Sequence, residues 1–244
     1  MRLLVSERRH QVAPDYPLQP VEDSVKAALM APRSVIFPTK ANAPAVVWLV
    51  VLTCLPEVLL TLLGSFMNVS GGRSMMLGYG AFWNGLLHGW EPLFTGQSVT
   101  MFFSYAFLHG GWLHLVGNMV AVLALGGIVV ARIGQKGFLL LYATTTFGGA
   151  VAFAMLSSSE VPMVGASGAV FGLIGAWKFW EWQLRQHFGS PMRPLWRSLA
   201  GLFALNVALW VFMQGLVAWE AHLGGFIAGV LFAAIVTPSM RYRI

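Results

Sequence analysis

Gly165-Ala166-Ser167-Gly168 stands at the start of one long apolar stretch, and Ala221-His222-Leu223-Gly224-Gly225 stands early in another. A serine and a histidine on separate apolar helices offer a nucleophile and its general base, provided their heavy atoms come within about 2.6–3.2 Å. Two more polar side chains, His114 and Asn118, lie four positions apart and so share one helix face. The Asn118 amide, a ring nitrogen of His114 and the backbone N–H of Ser167 are candidate donors to an oxyanion, which any tetrahedral intermediate of acyl transfer needs. The chemistry within reach is hydrolysis of a peptide bond.

Each of these residues also has a plain packing explanation. Gly168-x-x-x-Gly172 and Gly225-x-x-x-Gly229 fit the small-residue pattern that lets membrane helices approach closely. A serine beside glycine is common in such helices, and Asn118 fits an interhelical hydrogen bond contributing only about 0.6–2 kcal/mol. A histidine in a span is more telling, because intramembrane polar groups mark functional paths. The two explanations reinforce each other, since a serine and a histidine on different helices meet only where Gly168, Gly172, Ala221 and Gly225 let the backbones close up.

The acids narrow the chemistry further. Asp15 and Asp23 are the only aspartates and both precede the apolar stretches, so no aspartate-completed triad and no aspartyl pair is available. Glu220 is two positions from His222 and points to another helix face, Glu57 sits in the first apolar stretch beside Pro56 with no evident partner, and Glu91, Glu160 and Glu181 belong to loops or basic flanks. A hydrolase built from this inventory is a Ser-His dyad. His109, His114 and His222 could ligate zinc in principle, but no His-Glu-x-x-His arrangement accompanies them, so neither a metal nor a cofactor is expected.

The elements that must position these groups are membrane helices. The chain is 57% hydrophobic and only 10% charged, with mean hydropathy +0.70, against about 25% charged in soluble domains. Segments 45–64, 112–133, 137–157, 166–183, 198–216 and 219–238 each approach the roughly 20 residues that cross a hydrocarbon core. The expected fold is all-α, a polytopic six-transmembrane-helix bundle. A polar tail (1–40) carries no signal-like apolar core but includes a possible short amphipathic helix from Val21 to Met30. The membrane domain follows (41–240), with a long loop over 65–111. Lys and Arg fall fourteen to one on the tail, the alternate loops and the C-terminus, the exception being Arg73 in the long loop, which sets both termini in the cytoplasm. The net charge of +6 is thereby assigned to membrane orientation and anionic lipid, with no nucleic-acid partner. Cys54 is the only cysteine and excludes a disulfide within the chain. In this topology Ser167, His222, His114 and Asn118 all lie within roughly 5–10 Å of the outer end of their helices.

Together these features resemble the rhomboid family of intramembrane serine proteases: Gly165-Ala166-Ser167-Gly168, Ala221-His222 with Gly225, and His109 before His114-x-x-x-Asn118, on six spans with a long first loop. The resemblance implies Ser167 as nucleophile, His222 as base and acid, and His114, Asn118 and the Ser167 amide as the oxyanion site. It further implies His109, Gly165, Gly168, Phe171 and Gly225 as supporting residues, single-span membrane proteins as substrates, and cleavage near the outer end of their span. A compact six-span chain of this kind looks bacterial, which implies an inner-membrane protein whose site faces the periplasm or exterior. Two positions depart from the family pattern. Thr100-Met101 replaces a frequent Trp-Arg pair in the first loop, leaving Phe66, Phe82, Trp83, Trp90 and Phe94 as candidate interfacial anchors, and Phe171 replaces a tyrosine expected to stack on the histidine. Two other readings stand beside the protease: a rhomboid-like protein that binds membrane clients without cutting them, and a small transporter using Glu57.

Overall fold

The computed structural model describes residues 43–66 and 71–237. The tail, its expected helix over Val21–Met30, and Arg241 and Arg243 lie outside them. The described chain is helical: α1 (Pro44–Phe66), α2 (Gly72–Gly80), α3 (Gln97–Ser104), α4 (Trp112–Leu156), α5 (Ser167–His187), α6 (Arg193–Phe212) and α7 (Trp219–Val236). Two short 3-10 turns, Asn84–Leu87 and Tyr105–Phe107, complete it.

Four of these helices, α1, α4, α6 and α7, are long and apolar enough to cross a membrane. With 45 residues, α4 is about twice the length a bilayer requires. It breaks at Gly134, whose φ of 74° and ψ of 175° are non-helical; glycine accepts this positive φ without steric cost. The turn expected over 134–136 is therefore compressed to one residue, and its two arms correspond to the expected second and third spans. The expected fourth span, α5, is less apolar because Lys178, Glu181 and Arg185 occupy its second half, where Glu181 pairs with both cations at 2.8 Å. Its first half is the best-covered part of the bundle, with Gly168, Ala169, Val170, Gly172, Leu173, Gly175 and Ala176 all buried. A helix wrapped by its neighbours needs little lipid-facing hydrophobicity.

In lipid, helices gain little from hiding apolar surface and associate instead through close packing. That is what α5, α7 and α4 do. A Cβ on Gly225 would collide with the carbonyl oxygen of Gly168, one on Gly229 with that of Gly172, and one on Gly224 with that of Gly148. Both expected small-residue motifs thus face each other across the α5–α7 seam. Gly229→Ala, which sits a full turn beyond Gly225 and touches no polar group of the site, is expected to destabilise the protein by about 1–3 kcal/mol through overpacking. A detergent melting curve indistinguishable from wild type would refute the contact.

At the opposite extreme, α6 has only Leu195 buried, and its Phe203, Leu205, Val211 and Phe212 are exposed. The long loop is ordered where described. Phe82, expected at the membrane interface, is instead fully buried, edge-on to Phe102, Tyr105 and Phe153. Its backbone pairs with that of Met163. Trp90 and Phe94 are exposed as an interfacial role requires.

Candidate active site

Close packing of α5 on α7 brings Ser167 and His222 together. The Ser167 hydroxyl and His222 Nε2 are 2.8 Å apart, within the range for proton transfer. Phe171, one turn after the serine, stacks on the imidazole with centroids 4.2 Å apart and planes 6° from parallel. The aromatic face survives the loss of the tyrosine hydroxyl. The second ring nitrogen, Nδ1, lies 2.6 Å from Oδ1 of Asn206 on α6, not against Glu220.

Around Gly165 the remaining candidates converge. Its φ of 118° lies in the region that favours glycine, and a Cβ there would meet the His114 ring at 2.6 Å and Asn118 Nδ2 at 3.7 Å. The backbone just before Ser167 thus passes directly beneath both side chains. The peptide N–H of Gly165 is fixed by donating to the Tyr105 carbonyl at 3.0 Å, and that of Ala166 donates to His109 Nε2 at 3.4 Å. Asn118 Nδ2 is buried without a hydrogen-bond partner among the described residues, an expensive state for a donor. His109 packs edge-on to His114. Burial, with a smaller contribution from His114, pushes the His109 imidazole down to about 3, so it remains neutral and free to accept at Nε2.

An imidazole stacked on an aromatic ring, a serine in hydrogen-bond contact with it, and an amide nitrogen without a partner among the described residues beside the same turn form a connected site. The Rhomboid domain model matches residues 96–239, more than half of the chain and all of these groups. The chain belongs to the rhomboid family.

It is 30% identical over 57% of its length to RHOMBOID-like protein 5 of Arabidopsis thaliana, covering 45% of that relative. Against Rhomboid protease GluP of Bacillus subtilis it is 31% identical over 52% of the chain and 24% of the relative. Against Rhomboid-like protease 3 of Toxoplasma gondii it is 24% identical over 88% of the chain and 78% of the relative. The match thus spans less than half the length of several relatives. Rhomboid membership and the apolar helices together make it an integral membrane protein, in a family of intramembrane proteases.

Several contacts that hold this rhomboid site were not singled out from the sequence. Glu57, buried in α1, does have a partner: Arg73 of α2 reaches it at 2.5 Å and also donates to the His109 carbonyl at 3.0 Å. One guanidinium so ties α1, α2 and the approach to α4. Arg73→Ala strands the carboxylate and is expected to cost about 1–3 kcal/mol, seen as a lower melting temperature; no change would show the pair to be idle. The loop without Trp-Arg is held by Gln97, which accepts from Leu93 N at 2.7 Å and donates to the Gly78 carbonyl at 2.6 Å. Met101 is fully buried, an apolar side chain filling core space. Beneath the seam, the Tyr105 hydroxyl donates to the Thr146 carbonyl at 2.8 Å.

Proposed function

We propose that this rhomboid-family protein is an intramembrane serine endopeptidase with Ser167 as nucleophile and His222 as general base and acid. The observation that carries the reading is the 2.8 Å contact between Ser167 Oγ and His222 Nε2. His222 Nε2 takes the hydroxyl proton as Oγ bonds to the scissile carbonyl carbon, giving a tetrahedral oxyanion beside Asn118, His114 and the Ser167 amide. As the C–N bond breaks, the same proton passes to the leaving amine. Water then repeats the cycle: it loses a proton to His222, attacks the ester and releases the acid and free Ser167.

Rhomboid proteins act on membrane proteins within the bilayer, and the substrates proposed here are single-span proteins cut near the outer end of their helix. A helix hides its carbonyls in intrahelical bonds, while its last turn is more readily unwound. The polar side chains all lie toward one end of α4, α5 and α7, and the Lys and Arg distribution puts that end on the non-cytoplasmic side. Water reaches the site from there.

The test is covalent labelling by a fluorophosphonate probe, with cleavage of a single-span reporter followed in parallel. Wild type labels and cleaves; Ser167→Ala and His222→Ala do neither. A folded wild type that binds the reporter but neither labels nor cuts it is a client-binding protein instead.

A further inference from the structure

Asn206 stands out on α6. Between residues 199 and 213 it is the one amide, hydroxyl or charged side chain in an apolar run, on a helix that buries little else against the bundle. An amide in a span is costly unless it finds a partner. Its Oδ1 lies 2.6 Å from His222 Nδ1, on the side of the ring opposite Ser167.

A neutral imidazole carries one proton on two nitrogens, and the partner of one nitrogen decides the role of the other. A carbonyl oxygen at Nδ1 is an acceptor only, so the proton sits on Nδ1. That leaves the lone pair on Nε2, aimed at the Ser167 hydroxyl at 2.8 Å. Had the amide turned its Nδ2 toward the ring, the proton would move to Nε2 and the imidazole could not take the serine proton. Resting on the protease reading above, we infer that Asn206 is a positioning residue, which holds His222 in the Nδ1-protonated tautomer and fixes its ring plane. The dyad thus has a neutral third partner in the place an aspartate or asparagine occupies in triads. When the imidazolium forms, Nδ1–H keeps its bond to Oδ1, so the proton relay remains between Ser167, His222 and substrate.

The test uses the full chain in detergent, with Ser167 labelling by a fluorophosphonate and reporter cleavage as rates. Asn206→Leu suits a lipid-facing helix and is expected to keep the melting temperature. It lowers kcat and the labelling rate about 10²-fold with KM little changed, as loss of an oriented base requires. Asn206→Asp keeps an acceptor at the same place and recovers activity to within about tenfold of wild type. Nitrogen-15 spectra of imidazole-labelled protein, with His222 identified by its absence in His222→Ala, show an Nδ1–H tautomer in wild type and Asn206→Asp, and loss of that preference in Asn206→Leu. A packing role alone predicts that Asp is at least as harmful as Leu and that the tautomer does not change. Wild type showing the Nε2–H tautomer, or Asn206→Leu with unchanged rates, overturns the inference while Ser167-dependent labelling still stands. Should Asn206→Leu fail to fold, the wild-type tautomer and the Asn206→Asp rates decide. Absence of any Ser167-dependent labelling overturns the protease reading and this inference together.

Discussion

Ser167→Ala is expected to lower reporter cleavage by at least about 10⁴-fold and to abolish fluorophosphonate labelling, with the melting temperature within a few degrees of wild type. Without Oγ no acyl-enzyme forms, and what remains is whatever the oxyanion donors and substrate binding supply to direct attack by water. The fold should tolerate the change, because alanine favours a helix, and the hydroxyl lost is half-buried with the His222 ring as its one hydrogen-bond partner among the described residues. His222→Ala gives a comparable loss, and the double variant is no worse than either single one, since the two groups act as a unit. Losses that multiply in the double variant would mean that serine and histidine serve separate steps. Cleavage by Ser167→Ala near the wild-type rate would remove the serine from the mechanism.

Much of this site was legible before any coordinates. Composition and run length put span starts at 45 and 219, and α1 begins at Pro44 and α7 at Trp219. The apolar run places the start of α6 five residues late because Arg193-Pro194 reads as loop, whereas proline suits the first turn of a helix. The apolar run ends before α5 does for a similar reason: Lys178, Glu181 and Arg185 look like a cytoplasmic flank, yet their spacing lets them pair along the helix. The Ser167–His222 contact was legible because the two glycine motifs predicted which faces touch. A Cβ on Gly225 would meet the Gly168 carbonyl oxygen across that seam.

What was illegible depended on side chains from distant segments. Glu57 carries no local sign of its partner, because Arg73 reaches it from a separate loop helix. Phe82 reads as an interfacial residue because aromatics in membrane loops usually serve there, but the Phe82–Met163 bridge folds it inward. Asn206 left a signal that was not used. A lone amide in an apolar span calls for a partner, but nothing in the sequence pairs it with a histidine on another helix.

Asn118→Ala is expected to reduce kcat by about 10²–10³-fold with little change in KM, the loss found when one oxyanion donor is removed. Asn118 Nδ2 is buried with no hydrogen-bond partner among the described residues, so no protein acceptor competes for it with a substrate oxygen. If Asn118 served only to join helices, its donor would be paired. Aimed beside Gly165 and His114, it is instead left to bond when negative charge develops on the substrate oxygen, so the gain falls in the transition state and appears in kcat. Removing it breaks no hydrogen bond to the described residues, so Asn118→Ala should melt within a few degrees of wild type and label at Ser167 more slowly in the same proportion as cleavage. A packing role predicts the opposite pair of results: a lower melting temperature and an unchanged rate for the fraction that stays folded. Because His114 faces the same point from one helical turn away, His114→Ala should show a smaller loss of the same kind. The double variant should then lose less than the product of the two, as neighbouring donors to one oxygen do.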